Sequence, residues 1–281
     1  MNVCYFPIVP LCEKQLRDVH PEDVVTAHLV PYEVNGDYRH IPLARTCRIE
    51  YAGGGYDKFR YIYHNLTGKD TGPEHFIVQL YGCTHDCPWC YGTPAGVWSD
   101  AVGLTPREMV ILAQGWHEAR IRHAINALDK QDKDYETMKT ELSSLKGYQV
   151  FHLTGGAPAL YLNQWPTLAN EVVRGGYIFH SDFVLDEGLY NEHVLTMLNN
   201  ICGDKHLHAV SFKPSSPLSR LQLANLKTLV ATKVPFYITF TGMGEEEIAA
   251  RKKQVTDAGI PASVFDTSFV FPLKHYKSLD A

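Results

Sequence analysis

The 281-residue chain has no apolar run near the roughly 18 residues that a membrane-spanning helix needs. It has no surplus of positive charge. There are 26 Lys and Arg against 31 Asp and Glu, giving a net charge of -5 and a pI of about 6.3. That balance argues against a broad nucleic-acid or membrane-surface footprint and leaves room only for a local basic pocket. There is no fixed-length repeat and no low-complexity tract. The opening stretch MNVCYFPIVPLCEK has no basic n-region and two prolines break its apolar run, so it does not read as a signal peptide. Cysteine is scarce and uneven: seven in all, with Cys83, Cys87 and Cys90 clustered. An odd, clustered set without a secretion signal fits a reducing cytosol and metal or thiol chemistry rather than disulfides. A cytoplasmic location is expected.

What the chain does have is ordinary globular composition, 45% hydrophobic and 20% charged, in which no staple is needed to complete a core. The first 74 residues are rich in Pro, Tyr and Val and lack a long helical pattern. RTCRIEY and KFRYIYHN read as two strands around the glycine turn AGGGYD, so residues 1–74 form an N-terminal β-rich extension built on a hairpin. From 75 to 281 the pattern alternates strand, loop and helix. Strands are expected at 75–81, 148–156, 177–185, 207–213, 234–240 and within 262–271. Thr105, Pro106 and Glu108 predict a capping box opening the first long helix. Ser216 is the expected cap of the helix beginning near Pro217. Six short apolar strands alternating with five helices imply parallel pairing. Either an open doubly wound sheet or a partial (β/α)6 TIM-like barrel fits, and both place chemistry at the carboxyl ends of the strands.

The cluster lies there, in YGCTHDCPWCYG after the first strand. Three cysteines are one short of a closed zinc site. His85 or Cys47 could complete one, but no second C-x2-C or paired histidines accompany the cluster. Three thiolates can instead hold a [4Fe–4S] cluster with one iron left open to a substrate or cofactor. The spacing C-x3-C-x2-C, with Trp89 just before the last cysteine, resembles the signature of the radical S-adenosylmethionine (radical SAM) superfamily. The resemblance implies the partial barrel, Cys83, Cys87 and Cys90 as cluster ligands, and S-adenosylmethionine as the second cofactor.

Other strand ends extend the resemblance, which covers about residues 75–276. LTGGAP resembles the superfamily's Gly-Gly-Glu-Pro turn, with Ala157 replacing the usual Glu; Gly155 and Gly156 let a backbone approach the bound methionine moiety closely. LDEG resembles the stretch leading from the third strand into its helix, where Asp186 or Glu187 can reach a cofactor hydroxyl or ammonium or simply cap a helix. SFK resembles the fourth-strand end of glycyl-radical-enzyme activases; Ser211 and Lys213 share a face, and Lys213 can pair with the cofactor carboxylate. Tyr237, Thr239 and Thr241 read as a packed polar layer. His180 and His208 read as packed side chains, and His85 as a supporting group beside the cluster.

The activity implied is reductive cleavage of S-adenosylmethionine to a 5'-deoxyadenosyl radical that takes hydrogen from a small-molecule, nucleotide or peptide substrate, with flavodoxin or a similar electron donor. A glycyl-radical-enzyme activase acting on a partner protein is the alternative within the superfamily. A non-catalytic zinc- or cluster-stabilised binding protein is the alternative outside it.

Overall fold

A computed structural model of the chain describes residues 4–11, 24–27, 33–34, 37–38, 41–48, 74–85, 87, 101–144, 149–213 and 217–271. Five short strands come first: β1 (Phe6–Ile8), β2 (Val24–Ala27), β3 (Glu33–Val34), β4 (Asp37–Tyr38) and β5 (Ile41–Arg48). Then follow β6 (Glu74–Gln79), β7 (Val102–Leu104), α1 (Pro106–Ala127) and α2 (Tyr135–Ser144). The remainder is β8 (Val150–Thr154), α3 (Trp165–Arg174), β9 (Ile178–Phe183), α4 (Glu192–Cys202), β10 (His208–Phe212), α5 (Arg220–Ala231), β11 (Phe236–Thr241), α6 (Glu245–Asp257) and β12 (Phe269–Phe271).

The six expected strands are present and run parallel through five pairings, in the order β6-β8-β9-β10-β11-β12. This order never reverses. A doubly wound sheet has a reversal at its switch point. β5 adds antiparallel to β6, with Cys47 opposite His75 and Ala44 opposite Val78, and β2 pairs outside β5. The arm RTCR therefore finds its partners in β6 and β2, across the expected boundary at residue 74. The turn AGGGYD and the arm KFRYIYHN lie outside the described residues. β1 pairs with β7, and Tyr81 N–H donates to Pro7 O (2.9 Å), so the N-terminal strand lies beside the end of β6.

Side chains alternate across a strand, and parallel partners share a face, so the sheet has two chemically distinct sides. One carries Phe76, Val78, Phe151, Leu153, Phe179, Phe183, Val210, Phe212, Ile238 and Phe240. These form one apolar core with Trp165 and Leu168 of α3, Leu195 of α4, Leu226 of α5 and Val255 of α6. Trp165 stands edge-on to Phe179 (5.4 Å between ring centres, 84°) and donates from Nε1 to Pro158 O (3.2 Å). The other side carries His75, Gln79, His152, His180, Tyr237, Thr239 and Thr241, all buried, along with Thr154, Asp182 and Ser211.

Helix starts follow side-chain capping. Thr105 and Glu108 form the expected capping box, Glu108 N–H donating to Thr105 Oγ1 (3.2 Å) and Thr105 N–H to Glu108 Oε2 (2.7 Å). Asn191 Oδ1 caps α4. The cap of α5 is Ser219, reinforced by Gln222, and the helix starts at Arg220 rather than near Pro217. Ser219 has the glutamine three residues on that a capping box needs; Ser216 lies outside the described residues. No described helix is long and apolar enough to cross a membrane.

Trp165→Ala removes the ring that joins α3 to β9. It is expected to destabilise the chain by about 3–5 kcal/mol, the cost of truncating a buried aromatic residue, measured by urea unfolding.

Candidate functional site at the strand ends

Cys83 and Cys87 follow β6 as half-buried thiols, and His85 N–H donates to Cys83 Sγ (3.4 Å). Trp89 and Cys90 lie outside the described residues. The turn after β8 is stitched to this cysteine turn. Ala157 N–H donates to Gly82 O (2.6 Å), and Tyr161 Oη donates to Tyr81 O (2.8 Å). Gly156 has φ +54°, and a Cβ there would sit 2.1 Å from Gly82 O. Gly155 has φ +63°, and its Cβ would meet Gln79 Cβ at 2.7 Å. Only glycine tolerates both the backbone angle and the approach. Whatever these glycines do for a ligand, they are first required by contact between two turns.

The third strand end clamps the same loop. Thr84 Oγ1 donates to Asp186 Oδ1 (2.7 Å), and His85 Nε2 lies 2.9 Å from Asp186 Oδ2. Burial pushes the Asp186 carboxyl up, but the hydrogen bonds from His85 and Thr84 outweigh it and hold it below its ordinary value. Neither acid of LDEG caps α4. Glu187, pushed up by burial, accepts from Val184 N–H (3.0 Å) and Tyr190 Oη (2.8 Å). Leu185 adopts φ +70°, a strained angle for a branched side chain that surrounding contacts must impose. Buried Asn225 supplies them: it donates to Leu185 O (2.8 Å) and Gly188 O (2.6 Å) and accepts from Tyr190 N–H (2.9 Å). Asn225 thus fixes the bend that aims Asp186 at the cysteine turn.

Beneath the turns lies the polar side of the sheet. Thr154 Oγ1 donates to Asp182 Oδ2 (2.8 Å), and His152 Nε2 is 3.5 Å from Asp182 Oδ1. His75 and His152 meet through their Nδ1 atoms (3.2 Å), and His180 Nε2 meets Tyr237 Oη (2.8 Å). Burial pushes His75 and His180 well below the ordinary imidazole value, reinforced by His152 beside each, so both are neutral at pH 7. Burial would raise Asp182, but His152, His180 and Thr154 outweigh it and hold the carboxyl far below the usual range. Ser211 bonds Thr239 (3.0 Å) on this side. Lys213, half-buried just past β10, has no ion-pair partner among the described residues.

Of the expected site residues, Cys83, Cys87, Gly155, Gly156, Ala157 and Asp186 come together around one pair of turns. Ser211 and Lys213 belong to the neighbouring strand end. His208 packs among Trp165, Phe179 and Phe183 on the helix side, with His206 Nδ1 3.2 Å from His208 Nε2. His180 is packed, as read from sequence, against the rings of His75, His152 and Tyr237, and also bonds Tyr237 Oη. The set of His75, His152, His180, Asp182 and Tyr237 is not recognised as a unit from sequence. Its signal is present: H-x-x-x-Q, H-x-T and H-x-D put His75 and Gln79, His152 and Thr154, and His180 and Asp182 on one face of largely apolar strands.

No protein-family model matches the chain, and no curated protein matches it. What fold and site define is therefore a class: a mixed α/β protein with a parallel sheet flanked by helices, carrying thiols and an acid-clamped turn at the carboxyl ends of its strands.

Two outcomes follow from this arrangement. Asp186→Ala frees the loop, so alkylation of Cys83 and Cys87 in the metal-free chain, followed by mass spectrometry, should quicken by about fivefold, the effect of losing a partly exposed ion pair worth about 1 kcal/mol. The second concerns pH. Burial pushes His206 down to about 4 and holds His208 well below its ordinary value, whereas the unfolded chain titrates near 6.5. Between those values the unfolded state binds more protons, so stability falls as pH drops from about 6.5 towards 4. Calorimetric Tm should decline across that window, and His206→Gln should flatten the decline.

Proposed function

We propose that this chain is a radical SAM enzyme built on a partial (β/α)6 barrel, acting on a small-molecule, nucleotide or peptide substrate. The observation that carries the reading is the position of Cys83 and Cys87. They lie at the carboxyl end of the first parallel strand, in a turn held by the ends of the next two. The unreversed strand order favours the barrel over a doubly wound sheet.

The residues present fit a [4Fe–4S] cluster. The thiols are half-buried, and Cys83 accepts a backbone N–H, a contact of the kind that tunes cluster sulfurs. Cys83, Cys87 and Cys90 would hold it, with Trp89 alongside. The chemistry supplied by the cluster and S-adenosylmethionine, when bound, is one-electron reductive cleavage followed by hydrogen abstraction from an unactivated carbon, fed by a flavodoxin-type donor.

The chain's own contribution is orientation. Asp186, through Thr84 and His85, sets the loop between the first two thiols. Ala157 spends its N–H on Gly82 and its carbonyl on Leu160 N–H (3.0 Å). Backbone carbonyls of this turn would be the acceptors for a cofactor ammonium, a role that main-chain atoms keep when Ala157 stands in place of the usual Glu. Lys213, half-buried and lacking an anionic partner among the described residues, would pair with the cofactor carboxylate, with Ser211 on the same strand face. β5 extends the sheet past β6, and β1 lies along the β6 end, so the chain itself occupies that flank. This favours a small or peptidic substrate over a docked glycyl-radical partner.

The protein purified and reconstituted without oxygen should carry about four iron and four sulfide per chain. With reductant and S-adenosylmethionine it should yield 5'-deoxyadenosine, and Cys87→Ala should lose both. Stoichiometric zinc at the cysteines with no cleavage would overturn the reading in favour of a zinc-stabilised binding protein.

A further inference from the structure

The buried donor set beneath the cysteine turn has no part in the chemistry above. His152 on β8, and His180 and Asp182 on β9, each offer one ligand atom, and these atoms all lie within 4.8 Å of one another. His152 Nε2 and Asp182 Oδ1 are 3.5 Å apart. Two atoms bound about 2.1 Å from one ion at a tetrahedral angle lie about 3.4 Å apart, so this pair is already spaced for a shared metal. The same gap is too long for a charge-assisted hydrogen bond, which closes to about 2.7–2.9 Å.

The opposite atoms of the three groups are all held. His152 Nδ1 meets His75 Nδ1, His180 Nε2 meets Tyr237 Oη, and Asp182 Oδ2 accepts from Thr154 Oγ1. Metal-binding imidazoles and carboxylates are oriented by such outer partners, which also set the tautomer. With His152 donating from Nδ1 to His75, and His180 donating from Nε2 to Tyr237, the lone pairs of His152 Nε2 and His180 Nδ1 stay available. Both atoms are buried; His180 Nδ1 makes no hydrogen bond, and His152 Nε2 has only the long 3.5 Å contact to Asp182 Oδ1. A buried polar atom left without a partner is costly, and three converging lone pairs with one negative charge call for a cation.

We propose that His152, His180 and Asp182 bind one divalent first-row transition ion, with His75, Tyr237 and Thr154 as positioning residues. Two imidazoles and a single carboxylate suit zinc, iron(II), cobalt(II) or manganese(II) rather than calcium or magnesium, which demand more oxygen. Three protein ligands leave positions open for water or substrate. The site does not depend on the radical SAM reading, because it shares no ligand with the cysteines.

The test uses the full chain with Cys83, Cys87 and Cys90 changed to Ser, so that no cluster forms and those thiols take no metal. Titration with cobalt(II) should give one bound equivalent, with visible d–d bands and no thiolate charge-transfer band. Asp182→Asn and His180→Gln should each weaken binding at least tenfold. His75→Gln should weaken it by about 10–100-fold, the usual effect of losing an outer-shell partner. His206→Gln, on the helix side, should leave it unchanged. Absence of a bound equivalent in the parent, or equal affinity in folded Asp182→Asn and His180→Gln, overturns the proposal. X-ray absorption of the cobalt-loaded parent decides even if those variants fail to fold. It should show nitrogen and oxygen ligands with imidazole scattering, and a spectrum without imidazole overturns the site.

Discussion

Side-chain alternation along the parallel strands is the constraint on which the rest of this protein depends. Five pairings keep the strands in register, so residues two apart stay on one side of the whole sheet. The side carrying Phe76, Phe151, Phe179, Phe183, Phe212 and Phe240 meets the helices and provides the apolar burial. The opposite side collects His75, His152, His180, Asp182 and Tyr237. A slip of one residue in any strand would drive imidazoles among the helix side chains and phenyl rings among the polar groups, so packing and site geometry stand or fall together.

The strand ends convert that register into a shaped loop. Gly155 and Gly156 let the second turn close on the first, where a side chain would collide with backbone. Asp186 reaches the cysteine turn because Leu185 is held at a positive φ, and Leu185 is held there because Asn225 satisfies the backbone of that bend. Two further strand ends, one of them shaped by a residue of α5, thus hold residues 81–85 of the cysteine turn.

The two candidate centres differ in kind. The cysteine turn is partly exposed and built from loops. The two histidines of the histidine–aspartate set are buried and Asp182 is partly so, in surroundings where lowered dielectric strengthens each contact and makes any unpaired group costly.

Much of the frame was legible in the sequence because it is written in local patterns. Strand positions followed from short apolar runs, and the start of α1 from Thr105, Pro106 and Glu108. The cap of α5 was misplaced by three residues because Ser216 and Ser219 both satisfy the local rule, and only Gln222 distinguishes them. The histidine–aspartate set stayed hidden because His75, His152, His180 and Asp182 are separated by up to about a hundred residues. Each alone reads as a packed polar residue. By itself the sequence determined which segments between residues 74 and 271 form the parallel strands and where α1 starts, since both depend on neighbours in the chain. Tertiary structure alone decided that Asp186 serves the cysteine turn, that Gly156 is needed for a contact between turns, and that two histidines face one carboxylate. Those relations arise from register between strands distant in sequence, and no local pattern encodes them.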